Sequence, residues 1–509
     1  MSEKVINIMN FVRGIEPRFP TDLSVTILNE LEMCKKYGFK NTVLLQYDAM
    51  INSTLMNMIL EKAPDNTEFG LWFEMCRQLV ESLGIEWKGR EGYDWDWHVN
   101  SGFLVGYTNE QRLSIIDEVM RKFKEIFGYY PKSVGSWIID SFSMQYMSEK
   151  YNIKAFGICR EQYSVDAYNL WGGYSNQAYY PSKNNMLCPA QSEENKINTP
   201  VFRLLGIDPV YGYDEEHHNP RLPGCYTMEA FWPSSHDESV VDWYYDTYFN
   251  QECINFAYAQ IGQENSFGWK KIKIGLDIQF EKLALLEKMG VVKVKTMGET
   301  GELFAEKFSA TPPTSLYAAY DWSDNGIKSL WYNCINYRAN LFLKGNKLYF
   351  RDLYKFDECY TERYLDKQCV EWEAVYDNLP IIDGRLWNTE NYVSGLYFKG
   401  KLSKFDVEKY ENGLKVYATF DNDKQVEIIF DEQKICVKGD IALHFKGDNQ
   451  KDNIAYTKID VMQNKIVFEH NGFAYAIGVY GNLKRTTDGY NIIPVERMIC
   501  INCAERGIE

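Results

Sequence analysis

Gly135-Ser-Trp-Ile-Ile-Asp140, a helix-like run from Ser143 to Tyr151, and then Ala155-Phe-Gly-Ile-Cys-Arg160-Glu-Gln162 form the stretch whose reading decides the fold. It reads as strand, helix, strand. Asp140 follows the first strand, and Arg160 and Glu161 follow the second. In a barrel of alternating strands and helices, functional groups collect where the strands end, at their C-terminal rim. The rest of the chain is read outward from that rim.

The same unit recurs along the first 300 or so residues: an amphipathic helix, a Gly or Asn able to take the left-handed C-cap, and a β-rich run. Lys35-Lys36-Tyr37-Gly38 precedes residues 41–46, and Glu125-Ile126-Phe127-Gly128 precedes residues 133–139. Lys150-Tyr151-Asn152 precedes residues 154–159, and Lys288-Met289-Gly290 precedes residues 291–294. Helix-then-strand repeats joined by right-handed crossovers give a parallel sheet. With residues 5–11, 69–73, 201–205 and 258–262 added, the reading predicts an α/β fold built on a (β/α)7-8 barrel over residues 1–264. A helical segment over 265–312 completes it. Beyond Thr311-Pro312-Pro313-Thr314, alternating runs broken by Glu411-Asn412-Gly413, Asn422-Asp423 and Asn471-Gly472 predict an antiparallel β-sandwich over 313–509.

Composition narrows the function. A net charge of −16 argues against nucleic acid as a partner, because phosphate-tracking surfaces draw their affinity from clustered Lys and Arg. No stretch reaches the ~18 apolar residues that cross a bilayer, so no membrane partner is expected. The 12 Cys are mostly scattered singly, a pattern of reduced thiols, and the start reads as a first strand and not as a signal peptide. A cytoplasmic location is the expectation. Aromatic residues reach 15%, and many crowd the predicted loops, as in Gly92-Tyr93-Asp94-Trp95-Asp96-Trp97-His98 and Leu170-Trp171-Gly172-Gly173-Tyr174. Aromatic faces beside carboxylates suit sugar rings; the same side chains also serve to pack long loops onto a scaffold.

Acidic residues placed just after predicted strands are Glu16, Asp48, Glu74, Asp140, Glu161, Asp208 and Glu264. So many carboxylates at one rim require partners such as Arg13, Arg90, Arg160 and Arg203, or raised pKa values. Two carboxylates held apart in pKa are what glycoside hydrolysis needs. Of the six His, His98, His217, His218, His236, His444 and His470, none has metal-ligand spacing, and no Gly-x-Ser-x-Gly is present. An ion held by Asp48, His98 and Glu74 is the alternative.

Trp137-Ile138-Ile139-Asp140 resembles the segment that carries the nucleophile in glycoside hydrolase family 57, with Asp140 at that position. Gln263-Glu264-Asn265-Ser266-Phe267-Gly268-Trp269 resembles that family's general-acid segment. Asp stands where the family has Glu, and Gln263 aligns with the acid itself, so Glu264 takes over that role. The order of parts is similar in family 38 mannosidases and the polysaccharide deacetylases, whose His ligands are not found here. The resemblance implies a glycoside hydrolase, retaining and needing no metal or other cofactor, that acts on an oligosaccharide or glycoside. Asp140 is then the nucleophile and Glu264 the acid. Trp95, Trp97, Trp137 and Trp171 are stacking candidates. Glu16, Asp48, Glu74, Asp94, Asp96, His98, Arg160, Glu161, Arg203 and Asp208 are the remaining substrate-binding candidates. A deacetylase-like metal enzyme and a non-catalytic sugar-binding protein are the alternatives.

Overall fold

The structure is a computed structural model that describes residues 2–165, 167–175, 177–213, 227–388, 393–447, 457–462 and 464–505. His217 and His218 lie outside the described residues. The chain begins with β1 (Glu3–Val12), α1 (Leu23–Tyr37), β2 (Asn41–Leu45), β3 (Thr67–Trp72), β4 (Ser133–Gly135) and β5 (Ala155–Cys159). Seven parallel strands follow one another in space: Phe256–Ile261, β1, β2, β3, β4, β5 and Val201–Leu204, with the short strand Ala178–Tyr179 antiparallel at the edge. A further short strand, Lys293–Lys295, also pairs β1.

The helix–cap–strand unit recurs along the fold. Gly38 and Gly128 hold φ of 71° and 80°, Asn152 holds 57°, and each ends a helix directly ahead of a strand. The amide of Gly38 donates to Cys34 O and Lys35 O, so the left-handed residue caps carbonyls the helix leaves open. Helix Asn109–Phe127 starts on a capping box of Thr108 and Gln111.

The sheet curls strongly. Phe11 of β1, Trp72 of β3 and Trp137 after β4 meet with ring centroids 4.3–5.4 Å apart, although β2 lies between β1 and β3. Its outer strands are joined by a side chain, with Leu205 N donating to Gln260 Oε1 at 2.8 Å; among the described residues no backbone ladder closes that seam. The result is a mixed α/β fold on a curled parallel sheet, and the closed barrel of the expectation is not established by this pairing. Helix Met297–Lys307 packs beneath the N-terminal ends of β2 and β3, where Thr42 Oγ1 receives Met297 N at 2.9 Å and Glu68 receives Thr296 Oγ1 at 2.6 Å. The C-terminal ends of the strands are left for the site.

From Thr314 onward the pairing is antiparallel except at Ala374–Tyr376, which pairs parallel with Tyr168–Leu170. One sheet runs from Thr314–Ala318 through Lys328–Asn333, Tyr337–Lys344 and Lys347–Lys355 to Gly395–Phe398 and beyond, and a second runs from Leu402–Tyr410 to Thr457–Met462. Leu330, Leu341 and Phe350 of the first share one core with Val416, Ile428 and Ile477 of the second. The expected single thiols differ at one place: Cys436 and Cys500 are register partners on adjacent strands and form a disulfide. No described helix is long and apolar enough to cross a membrane.

Candidate active site

Where β1 runs out, Arg13 turns its guanidinium inward and becomes the hub of the strand ends; it is 2% exposed. Its Nε and Nη2 donate to the two oxygens of Glu74 at 3.2 Å each, and Nη1 donates to Glu264 Oε1 at 3.0 Å. Glu16 lies 3.6 Å from Nη1. Burial opposes the charge of Arg13, but Glu264, Glu74 and Glu16 outweigh it and hold the guanidinium ionised. Glu74 is pushed up by burial, against the pull of Arg13.

Arg18 reinforces the hub with two bonds to Glu16, at 2.8 and 2.6 Å. Trp95 forms its floor: the indole N–H donates to Glu74 Oε2 at 2.7 Å, and the ring lies 4.0 Å beneath Arg13 and 4.7 Å from Arg18. Two guanidiniums therefore face three carboxylates in a nearly dry site, where removing one partner is far costlier than in water.

Asp48, beyond β2, is the least committed acid of the group. Oδ1 accepts from its neighbour Ala49 N at 2.7 Å, and Oδ2 has no hydrogen-bond partner. Burial raises its pKa to about 6, opposed by the amides of Gly14 and Ala49 and by the charge of Arg13. The loops after β1 and β2 touch here: a Cβ on Gly14 would come within 2.6 Å of Asp48 O. Gly14→Ala is therefore expected to displace Asp48, with a loss of about 1–3 kcal/mol in urea unfolding.

On the far side of Glu264 the network continues through Gln263, whose amide reaches Glu229 Oε1 at 3.4 Å. The charge of Arg160 lowers the pKa of Glu229 against the stronger effect of burial, which raises it. Arg160 Nε and Nη2 are buried without hydrogen-bond partners, and its Nη1 donates to Glu161 O.

Asp140 is placed elsewhere. It caps helix Ser141–Tyr151, accepting from Ser143 N at 2.9 Å and Ser143 Oγ at 2.8 Å, and it pairs with the fully buried Arg112 at 3.1 Å. It shares no partner with Glu264, and both of its oxygens are engaged with no exposed surface. Among the contacts of the described residues none joins Asp140 to Glu264; the N-cap preference of Asp accounts for the engagement of Asp140 here. Arg112 also donates to Tyr364 O and Lys367 O, on a segment that returns from the antiparallel region.

Glu362, on the same segment, accepts from Ser141 N at 2.9 Å and Met186 N at 2.7 Å. Burial, with the nearby charge of Asp140, raises its pKa to about 8. The stability tied to its protonated form is fully present below the unfolded value near 4.5 and is lost as pH rises through 8. Glu362→Gln cannot ionise. It should cost about 1–2 kcal/mol at pH 5 through one weakened acceptor, with the gap to wild type narrowing towards pH 9 in urea titrations.

The remaining expected residues are engaged in ion pairs, hydrogen bonds and ring contacts. Glu161 is paired with Arg338 and accepts Gly172 N at 3.0 Å, and Arg203 donates to Cys159 O at 2.8 Å and Tyr174 O at 3.2 Å. Asp208 accepts Val210 N, Tyr211 N and Trp322 Nε1. Asp96 is held by Arg90 through two bonds of 2.9 Å, and Asp94 lies 3.2 Å from Arg77. Trp137 packs on Phe11 and Trp72, and Trp171 on Tyr213 and Arg385. Trp97 is covered by Arg90 at 4.0 Å.

The residues proposed for an ion do not fit one. Both oxygens of Glu74 bind Arg13, and His98 faces Asp96 at 3.7 Å and stacks on Trp372. Among the described residues no three His, Cys, Asp or Glu side chains are gathered for a metal. Arg18, Glu229, Arg112 and Glu362 are not singled out by the sequence; nothing local marks the contacts of Glu229 with Gln263, of Arg112 with Tyr364 O and Lys367 O, or of Glu362 with Ser141 N.

Comparison with known proteins bears on the fold. A family model described as a domain of unknown function with a solved structure, DUF3863, matches residues 99–311. No curated protein matches. A crystal structure from Parabacteroides distasonis, described as a glycoside hydrolase/deacetylase, aligns with a TM-score of 0.54 at 13% identity, over 74% of this chain and 91% of that one. A polysaccharide deacetylase structure from Mycobacterium smegmatis aligns at 11% identity over 61% of this chain and 94% of that one, with a TM-score of 0.36. The first of these shares the overall fold with this chain. This likeness is one of fold and does not single out families 57 or 38.

Proposed function

We propose that this chain is a carbohydrate-active hydrolase that removes acyl groups from saccharides, a deacetylase-type activity in place of glycosidic cleavage. The observation that carries this reading is Asp48: an enclosed carboxylate with one unpartnered oxygen and a pKa near 6, beside a fixed cation. Such a group suits a general base working near neutrality. Asp48 Oδ2 takes a proton from water, the water oxygen attacks the acyl carbon, and Asp48 returns the proton to the departing sugar nitrogen or oxygen. Arg13 acts by its charge, since its nitrogens are committed to Glu74 and Glu264. Asp140, with both oxygens engaged by Ser143 and Arg112, weighs against a glycosidic nucleophile, and the shared fold with a glycoside hydrolase/deacetylase supports a carbohydrate substrate.

The test is to incubate the protein with N- and O-acetylated oligosaccharides and with aryl glycosides, and to measure acetate and new reducing ends separately. Acetate without reducing ends is the expected result, and it should survive a chelator because Asp48, Glu74 and His98 do not converge. Reducing ends without acetate would restore the glycosidase. Binding with neither product would leave a sugar-binding protein.

A further inference from the structure

We infer that Trp372, supplied by the antiparallel region, is the outer platform of a saccharide-binding track that begins at the Arg13 hub; this rests on the carbohydrate reading above. Four rings step outward. Trp95 and Trp97 have centroids 6.2 Å apart, Trp97 and His98 5.6 Å, and His98 and Trp372 4.7 Å. Trp95 is buried against Glu74, Trp97 and His98 are half-buried, and Trp372 is 61% exposed. The last pair stack with only 6° between their planes, so His98 covers one face of Trp372 and the other lies in solvent.

A single exposed apolar residue carries little meaning. Here the ring is held in place by main-chain bonds, Val99 N to Trp372 O at 2.8 Å and Cys369 N to Val105 O at 2.7 Å. Val370 beside it is 64% exposed, and Glu371 and Glu373 flank the indole with carboxylates at the surface. An open indole face between hydroxyl acceptors matches a pyranose ring, which offers C–H groups on its faces and hydroxyls around its edge. Because the inner rings are already covered by guanidiniums, Arg13 and Arg18 over Trp95 and Arg90 over Trp97, the free stacking face lies several steps from Asp48. A monosaccharide cannot occupy both places. The substrate class is therefore an oligosaccharide or polysaccharide, held at a distance from the reacting group by the second half of the chain.

Calorimetric titration of wild type and Trp372→Ala with chito-oligosaccharides and O-acetylated xylo-oligosaccharides of two to six units tests this directly. Trp372→Ala should weaken binding of the six-unit ligand by about tenfold or more, leave the two-unit ligand unchanged, and leave Tm unchanged, while Trp372→Phe recovers much of the affinity. Length-dependent binding lost in Trp372→Ala, with no acetate released by wild type, would support the track and remove the hydrolase reading. Equal six-unit affinity in wild type and Trp372→Ala would overturn the track, and so would wild type that binds none of these saccharides.

Discussion

Asp48→Asn should lower acetate release by roughly 10²–10⁴-fold, the loss expected when a positioned general base is removed. Burial has pushed this carboxyl up to about 6, so the wild-type rate should climb as pH rises through that value and flatten above it. Linkage gives the accompanying sign for stability. A carboxyl whose pKa is raised by folding contributes stability that is fully present below its unfolded value and is lost as pH rises through the folded one. At pH 7 the wild-type carboxylate is ionised at some cost, so the Asn variant should unfold at no lower urea concentration than wild type. Loss of turnover with unchanged or higher stability is the result that assigns the base. Equal turnover in the variant would remove Asp48 from the chemistry.

Arg13→Met should cost about 3–5 kcal/mol, because the buried carboxylates of Glu74 and Glu264 lose their shared cation. The penalty depends on those groups being charged, so it should be larger at pH 8 than at pH 5 in urea unfolding. Arg13→Lys should recover only part of it. One ammonium cannot reproduce the fork that meets both oxygens of Glu74 and still reaches Glu264. Turnover should fall in both variants as well, since Arg13 is one of the groups that keeps the Asp48 carboxyl from rising further. A pH-independent loss would mean that the hub is held by packing and not by charge.

The strands were legible because each follows a helix that ends on a residue suited to positive φ, and Gly38, Gly128 and Asn152 are found in that conformation. Strand length was less so. Residues 133–139 read as one run, yet the regular strand stops at Gly135: Ser136 N still donates to Gly157 O and Trp137 O still accepts from Cys159 N, while Ile138 and Ile139 are buried outside the strand. Hydrophobicity reports burial, and only backbone geometry reports pairing. At the site, the acids after the strands were legible by position, and Arg13 does meet acids of that set, whereas Arg90 pairs with Asp96 outside it. What separates Asp140 from Asp48 is not. One is an N-cap locked to Arg112, and the other keeps an oxygen free, a difference set by residues such as Tyr364 and Lys367 that lie far along the chain.

The segment that returns from the antiparallel region, together with Arg338 against Glu161, has a consequence for how this chain can change over time. Cut beyond residue 312, the parallel half would keep all its strands but bury Glu161 with no cation and leave Arg112 short of two acceptors. In the intact chain the two halves should therefore melt in a single transition and tolerate no exchange of partners. They are expected to pass through descent as one heritable unit, not as modules shuffled among unrelated neighbours.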